Sequence, residues 1–259
     1  MNENVAKQFG KHSETYDQVA EAQEELADGL FELSIPFLPD TLPSIFEIGC
    51  GTGFLSLQLA SLFPERLDLL DISGQMLQKT QEKFRTFFPQ MNYSLFQGDA
   101  ETTDFPGMYD LIYSSATIQW FSNLKAFLKK TYEALNPQGK IFLGTFGKET
   151  ARELARAYEK VMGAPLITGT NPCSENDLCR LTEKAGFKIL DSATAFYTQH
   201  FDSPRHFLKS LSLMGVTGVP QKTPLTKTRL LELEAALKKE NPTSSCTWEL
   251  VILGAEKKG

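Results

Sequence analysis

The chain has 259 residues, of which 41% are hydrophobic and 22% charged, and its formal net charge is −6. This composition is typical of a soluble globular protein and excludes a coiled coil, a collagen-like chain and a disordered chain. The acidic balance argues against a surface that binds nucleic acid or anionic lipid as a whole.

The first forty residues predict a helical segment. Residues 19–27 are rich in helix formers, and Leu26, Leu30 and Leu33 recur at helical spacing. Pro36 and the prolines after it end the segment. We expect residues 1–40 to lie over a functional site.

Short apolar runs then alternate with amphipathic stretches. The predicted strands span residues 44–48, 67–71, 92–97, 109–114 and 139–146, and the predicted helices span 55–63, 73–88 and 124–135. This alternation implies right-handed crossovers and a parallel sheet covered on both faces. The fold class is therefore α/β, with a doubly wound sheet.

The pattern loosens after residue 147. Helices are predicted over 149–162, after the capping box at Ser174–Asp177, from Asp202 and over 226–239, with strands over 187–201 and 247–255. We divide one structural domain into a core (41–147), late core elements with a helical cap (148–240), and a last strand and tail (241–259). Loops are predicted at 163–172 and 215–224.

The strongest local signal is the glycine turn Glu47–Gly53, which lies between a predicted strand and a predicted helix. Its G-x-G-x-G spacing is neither the dinucleotide fingerprint nor a P-loop, so phosphate binding is the weaker interpretation. Glycines here let the backbone approach a ligand at the carboxyl edge of a parallel sheet. Asp71 and Asp99 follow the next two strands, where they could accept the hydroxyls of a ribose and the amino group of an adenine. The sequence thus predicts an adenosyl ligand; both acids could instead cap helices.

This constellation resembles the class I S-adenosylmethionine-dependent methyltransferases from Ile45 to Phe146. The resemblance implies a seven-stranded, mostly parallel, Rossmann-like sheet and S-adenosylmethionine as cofactor, with S-adenosylhomocysteine as product. It places the methionine end of the cofactor in the glycine turn, the ribose at Asp71 and the adenine between Asp99 and Ala100. The cofactor-binding residues implied are Glu47, Gly49, Cys50, Gly51, Gly53, Asp71, Ile72, Met76, Asp99, Ala100, Ser114 and Ala116.

Other segments narrow the resemblance to one subgroup. These segments are similar to the malonyl-acyl-carrier-protein O-methyltransferases of early biotin synthesis. They are residues 8–10, Tyr16 with Asp17, Gln23, and residues 115–121, 143–147, 210–218, 224–226 and 247–253. Two positions depart from that subgroup. Its members usually have Lys or Arg where this chain has Ser212, and Tyr where this chain has Trp248.

The subgroup implies that the methyl acceptor is the free carboxylate of a malonyl thioester, on acyl-carrier protein or coenzyme A. A carboxylic acid with a pKa of about 4 is already ionised at pH 7, so no general base is expected. Tyr16, Gln119 and Trp120 are the candidates for positioning the acceptor. With three histidines and no close cysteine pair among Cys50, Cys173, Cys179 and Cys246, we expect no metal site and no disulfide framework.

An acidic carrier protein needs a local basic patch on this acidic chain. Lys148, Arg152, Arg156 and Lys160 recur at i, i+4 and predict one stripe along a helix, and Arg205 and Lys209 repeat that spacing. The alternative is a solvated helix face whose cations pair with Glu149 and Glu153.

Two other functions stay open. The chain could methylate a small free acid of the aconitate type, or it could be a non-catalytic methyltransferase-like partner subunit. The start at Met1 lacks the features of a signal peptide, and no apolar run reaches the roughly 20 residues of a membrane helix. We expect a cytoplasmic protein, monomeric rather than oligomeric, with no nucleic-acid or membrane partner.

Overall fold

A computed structural model of the chain describes residues 10, 13–41, 43–166, 172–213 and 226–258, with the backbone alone for residues 211–213. Part of the predicted loop at 163–172, namely residues 167–171, lies outside the described residues, as does the whole predicted loop at 215–224. So do His12 and the side chain of Ser212.

One seven-stranded sheet forms the centre of the molecule. Its order is β3-β2-β1-β4-β5-β7-β6; β7 runs antiparallel to β5 and β6, and the other neighbouring strands are parallel. The predicted doubly wound, mostly parallel sheet is therefore confirmed. The strands are β1 Ser44–Ile48, β2 Arg66–Asp71, β3 Tyr93–Gln97, β4 Tyr109–Ser115, β5 Leu135–Phe146, β6 Phe187–His200 and β7 Ser245–Lys257.

Helices connect the strands and cover both faces of the sheet. They are α1 Glu21–Ser34, α2 Phe54–Ala60, α3 Gly74–Phe87, α4 Leu124–Glu133, α5 Arg152–Met162, α6 Glu175–Lys184, α7 Pro204–Leu213 and α8 Lys227–Glu240, with short 3-10 helices at Tyr16–Gln18, Ile35–Phe37 and Ile118–Trp120. Within the described ranges, no helix combines the length and the apolar character needed to cross a membrane.

Local sequence signals explain where several helices begin. Ser73 accepts the N–H of Met76 at the start of α3, Asn123 accepts that of Ala126 before α4, and Ser174 accepts that of Asp177 before α6. Each side chain satisfies a backbone donor that the first helical turn leaves unpaired. The capping box predicted at Ser174 is thus confirmed.

The core lies on the two faces of the sheet, with a third part beneath the late helices. Ile112 and Phe127 belong to the face covered by α4 and α6, and Tyr113 and Phe84 to the face covered by α1, α2 and α3. The third part joins Trp248 of β7 to buried side chains of β5, α5, α7 and α8. The late helices therefore pack against the carboxyl end of β5 and the start of β7.

The predicted basic stripe is wrong at its first member. Lys148 lies in a turn, because α5 begins only at Arg152 and the preceding Ala151 has a left-handed backbone (φ 55°, ψ 33°). That conformation redirects the chain, so Lys148 is not in helical register with Arg152. The i, i+4 stripe on α5 consists of Arg152, Arg156 and Lys160.

Candidate functional site

A cavity of about 780 Å³ opens at the carboxyl edge of the parallel strands. Its walls come from the first 3-10 helix, α1, the glycine turn, the end of β2 with the start of α3, the loop after β3 and the turn after β4. This is the edge where open parallel sheets bind ligands. Among the described residues, none from 148–240 lines it.

The glycine turn is held against the end of β2. The N–H groups of Gly49 and Cys50 both donate to the carbonyl of Leu70, at 2.7 and 3.1 Å. Gly49 has φ +76°, and a Cβ at this position would lie 2.0 Å from the hydroxyl oxygen of Thr117. Only glycine fits there, because both the backbone angle and the contact exclude a side chain.

Gly51 and Gly53 also have positive φ, but their surroundings differ. At Gly51 (φ +56°) a Cβ would meet nothing within 4 Å, and the residue lines the cavity. Gly53 (φ +92°) precedes α2, packs against Thr80 and does not line the cavity. The turn therefore opens space at its middle glycine, and its last glycine starts the helix.

Asp71 joins the end of β2 to the glycine turn. One carboxyl oxygen accepts the N–H of Ser73 at 2.8 Å, and the other accepts the N–H of Gly51 at 2.9 Å. Burial raises the pKa of this carboxyl to about 6, and the backbone N–H groups of Ser73 and Gly51 partly oppose the rise. Asp71 lines the cavity, and a carboxylate has about four acceptor positions, so it can accept a ligand hydroxyl in addition to these backbone donors.

Glu47 is a second buried carboxyl in the cavity wall. It is 2% exposed, and the hydroxyl of Ser56 donates to it. Burial raises its pKa to about 8; the Ser56 hydrogen bond opposes the rise and the charge of Asp71 adds to it. Two carboxyls in one cavity favour a cationic ligand, because such a ligand stabilises the ionised form of both.

The N-terminal segment contributes a wall through Tyr16, which is buried and lines the cavity. Burial raises the pKa of its phenol, and the charges of Asp71 and Asp17 add to that effect. Next to it, Asp17 accepts the hydroxyl of Thr52 at 2.6 Å and pairs with Lys83 at 2.7 Å. These contacts fix Tyr16 over the glycine turn.

The loop after β3 reaches the cavity through Gly98 and Ala100, but Asp99 does not line it. One carboxyl oxygen of Asp99 accepts the N–H of Glu101 at 2.9 Å. The backbone carbonyl of Asp99 accepts the N–H groups of Thr102 and Thr103. The local contacts of Asp99 thus shape its own loop.

The end of β4 separates the four predicted residues there. Ala116 and Trp120 line the cavity, whereas Ser114 donates its hydroxyl to the carbonyl of Ile48 at 2.9 Å and does not. Gln119 also lies behind the wall, 5% exposed, with its amide bonded to the carbonyl of Ala116 and the hydroxyl of Thr145. Trp120 therefore forms part of the cavity wall, and the Gln119 side chain lies behind it.

Most of the predicted cofactor residues meet in this one cavity. Three of the twelve, Gly53, Asp99 and Ser114, do not line it. The nine that do are Glu47, Gly49, Cys50, Gly51, Asp71, Ile72, Met76, Ala100 and Ala116. Their arrangement fits an adenosyl group that carries an amino acid, since open space at Gly51 adjoins Asp71, which can accept ribose hydroxyls, and Glu47 can accept an ammonium group.

The predicted site residues omitted six polar or small lining residues: Gln23, Ala27, Thr52, Gly98, Ser115 and Thr117. Gln23 stood out only as part of a family motif, although its place in α1, on the buried face with Leu26 and Leu30, was a usable signal. Thr117 joins the walls, because its hydroxyl donates to the carbonyls of Ser115 at 2.9 Å and Gly49 at 3.4 Å.

The predicted carrier-docking residues lie on α5 and α7, except Lys148, which lies in the turn before α5, and none of them lines the cavity. Lys148 pairs with Asp177, Arg152 lies 3.6 Å from Glu153, Lys160 pairs with Glu240 and Arg205 lies 4.0 Å from Glu234. Arg156 and Lys209 are exposed, and neither has an acidic partner within 4.0 Å in the part of the chain that the structure describes.

Trp248, one of the two departures from the subgroup, lies in the core beneath the late helices. It is 1% exposed, and its ring centroid lies 5.0 Å from that of Phe146. It does not line the cavity. In the described ranges, no cluster of three His, Cys, Asp or Glu side chains could hold a metal ion.

Comparison with known proteins agrees with this geometry. Residues 45–139 match the model of a family described as a methyltransferase domain. The chain is 32% identical to a malonyl-(acyl-carrier protein) O-methyltransferase of Priestia megaterium over 83% of this chain and 81% of the relative. It is 31% identical to the enzyme of that name from Acinetobacter baylyi over 83% of this chain and 78% of the relative.

Solved structures share the fold at low identity. A putative methyltransferase from Bacillus halodurans superposes with a TM-score of 0.66 at 16% identity, covering 89% of this chain and 99% of that one. Magnesium protoporphyrin IX methyltransferase from Synechocystis, solved with bound SAH, superposes with a TM-score of 0.58 at 17% identity, covering 93% of this chain and 86% of that one.

Proposed function

We propose a function for this chain on one premise: it belongs to the family of malonyl-(acyl-carrier protein) O-methyltransferases. It is an S-adenosylmethionine-dependent methyltransferase that converts the free carboxylate of malonyl-acyl-carrier protein to its methyl ester, an early step of biotin synthesis. The observation that carries the proposal is the 32% identity over 83% of the chain, which extends far beyond the matched methyltransferase domain at 45–139.

The cavity supports S-adenosylmethionine as the methyl donor, which when bound supplies an electrophilic methyl group on a sulfonium. The carboxyls of Asp71 and Glu47 lie in one wall and suit a cation that carries hydroxyl and ammonium donors. Tyr16 and Trp120 also line the cavity and are buried, so their rings help to exclude water from the charges inside.

The acceptor carboxylate is ionised at neutral pH and needs no general base. The protein therefore has to position the carboxylate relative to the methyl group. We propose that Tyr16 and Trp120 hold the acceptor in line with the methyl group, since both line the cavity. Gln119 supports this wall from behind. Correct placement of two bound reactants can supply on the order of 7–11 kcal/mol of the barrier in favourable systems.

Methyl transfer from labelled S-adenosylmethionine to malonyl-acyl-carrier protein tests the proposal, with malonyl-coenzyme A and free dicarboxylic acids in parallel. We expect base-labile label on the malonyl thioester. Asp71→Asn protein is the matched inactive control, because it keeps the side-chain size and loses the charge. Label on a free acid alone would assign the enzyme to small-molecule acceptors. Cofactor binding without any label would contradict the proposed acceptor.

We further propose that the carrier protein docks on the basic residues of the late helices. Arg152, Arg156 and Lys209 are exposed, and an acidic carrier complements their charge. Lys148, Lys160 and Arg205 extend the patch, although each of them, like Arg152 beside Glu153, lies near an acidic neighbour.

Charge reversal on two helices tests the docking site. We expect Arg152→Glu with Arg156→Glu on α5 to raise the KM for malonyl-acyl-carrier protein about tenfold or more, and to leave the Kd for S-adenosylmethionine within twofold. The control is Lys125→Glu with Lys129→Glu on α4, which makes the same charge change at the same i, i+4 spacing on exposed residues. If both variants raised the KM for malonyl-acyl-carrier protein equally, net charge alone would explain the effect. The proposal that α5 is the docking helix would then be refuted.

A further inference from the structure

The turn that follows β4 contains a strained residue in the cavity wall. Ala116 has φ +51°, a left-handed conformation that costs energy for a residue with a Cβ. It lies directly after the strand and lines the cavity beside Ser115 and Trp120. Such a conformation persists only where neighbouring groups hold it.

The side chain of Gln119 holds this turn from behind the wall. Its amide nitrogen donates to the carbonyl of Ala116 at 2.8 Å, and the side chain is only 5% exposed. On the other side, the hydroxyl of Thr117 donates to the carbonyl of Ser115. The carbonyls of Ser115 and Ala116 are thus bonded by two side chains from the same turn.

Thr145 of β5 orients the Gln119 amide. It is fully buried, and its hydroxyl donates to the amide oxygen of Gln119 at 3.1 Å. Because the oxygen of the amide is bonded to Thr145, its nitrogen faces the carbonyl of Ala116. The contacts run from the carboxyl end of β5 through Gln119 to the cavity wall.

We infer that Thr145 and Gln119 are positioning residues for methyl transfer, an inference that rests on the proposed function. Neither residue lines the cavity. They fix the backbone of Ala116, and this fixes the wall against which the acceptor is placed. A displacement of about 1 Å at such a wall can cost about a hundredfold in rate.

Substitution of Thr145 tests the inference in the full-length protein. Thr145→Val removes the hydroxyl and keeps the branched shape, so the Gln119 amide loses its orienting bond. We expect kcat for malonyl-acyl-carrier protein to fall about tenfold or more, while the Kd for S-adenosylmethionine changes less than threefold. Thr145→Ser keeps the hydroxyl and should restore most of the rate. Similar rates in all three proteins, or a parallel loss of cofactor affinity in Thr145→Val, would overturn the inference.

A double-mutant cycle separates a shared role from two independent ones. If the two residues act in series, Thr145→Val in a Gln119→Met background should cost less than a further twofold in kcat. Gln119→Met is similar in size and removes both the donor to the Ala116 carbonyl and the acceptor of the Thr145 hydroxyl. Multiplied losses would show independent effects and contradict the inference.

The nuclear magnetic resonance signals of the Gln119 side-chain amide provide a readout that needs no acceptor. We expect a protected signal in the wild type and in Thr145→Ser, and rapid exchange with solvent in Thr145→Val. Protection in Thr145→Val would overturn the orienting role even if malonyl-acyl-carrier protein were not the acceptor. A wild type that methylates a free acid instead would refute the proposed function, and the same three proteins assayed on that acid would decide the inference. If the wild-type protein methylates none of the acceptors, the proposed function and the inference are both refuted.

Discussion

Asp71 and Asp99 follow neighbouring strands and make the same local contact, yet they take different places in the site. Each closes a short turn by accepting the N–H two residues later, from Ser73 in one case and from Glu101 in the other. Only Asp71 also accepts the N–H of Gly51 and lines the cavity. The reason is the order of the sheet: β2 lies beside β1 and its glycine turn, whereas β3 is the outer strand. Asp71 therefore reaches the cavity because the order of the sheet brings a second loop to it, whereas the hydrogen bond from Glu101 to Asp99 stays within the loop after β3.

Replacement of Asp71 should have the largest effect. Asp71→Asn removes the charge that the cavity offers to ligand hydroxyls and directs an NH2 group at a backbone donor. Hydrogen bonds to charged groups contribute about 1.5–3 kcal/mol each, so we expect at least about a hundredfold weaker binding of S-adenosylmethionine. Isothermal titration calorimetry measures the Kd of both proteins for S-adenosylmethionine. An affinity within fivefold of wild type would show that Asp71 only supports the turn.

A methyl group at Gly51 should have the next largest effect. Gly51→Ala places a Cβ in open space beside Asp71, and we expect about tenfold weaker cofactor binding with a loss of a few degrees in Tm. The matched control is Gly163→Ala, which also has positive φ (+68°) and open space but follows α5. Both variants carry similar backbone strain, so equal cofactor affinities would place the open space at Gly51 outside the ligand site.

The charge of Glu47 should make the stability of the ligand-free protein depend on pH. Burial raises its pKa from 4.5 to about 8, so the native state binds more protons than the unfolded state between these values. The free energy of unfolding then falls as pH rises from about 4.5 to about 8. We expect Tm to fall by several degrees less over that range in Glu47→Gln than in wild type.

The control for Glu47 is Glu133→Gln, since Glu133 is an exposed residue of α4. Its Tm should follow the wild-type curve. If Glu47→Gln showed the wild-type pH dependence, the carboxyl of Glu47 would be ionised across the whole range from about pH 4.5 to about pH 8. The raised pKa of Glu47 would then be refuted.

Asp99→Asn should have the smallest effect. The asparagine oxygen can still accept the N–H of Glu101, so the loop keeps its shape, and we expect cofactor affinity to fall less than fivefold. A loss as large as that of Asp71→Asn would break the comparison between the two acids, and would support the adenine contact that the sequence predicts for Asp99.

Local sequence determined the fold and the cofactor wall. Each strand of the core follows from its apolar run, and the predicted limits of β1 and β3 agree with the structure to within one residue. The glycine turn and the cap at Ser174 follow from the chemistry of a few adjacent residues. Such features depend on contacts within a few positions along the chain, so one sequence suffices to predict them.

Tertiary structure decided the direction of side chains at the ends of these elements. Gln119 was predicted to face the acceptor, but it lies behind the wall because Thr145 of β5 and the carbonyl of Ala116 take both ends of its amide. Lys148 does not lie on the predicted helix face, because the left-handed backbone of Ala151 turns the chain before α5 begins. These outcomes depend on partners that are distant in sequence or on a single backbone angle, and hydrophobic periodicity carries no information about either.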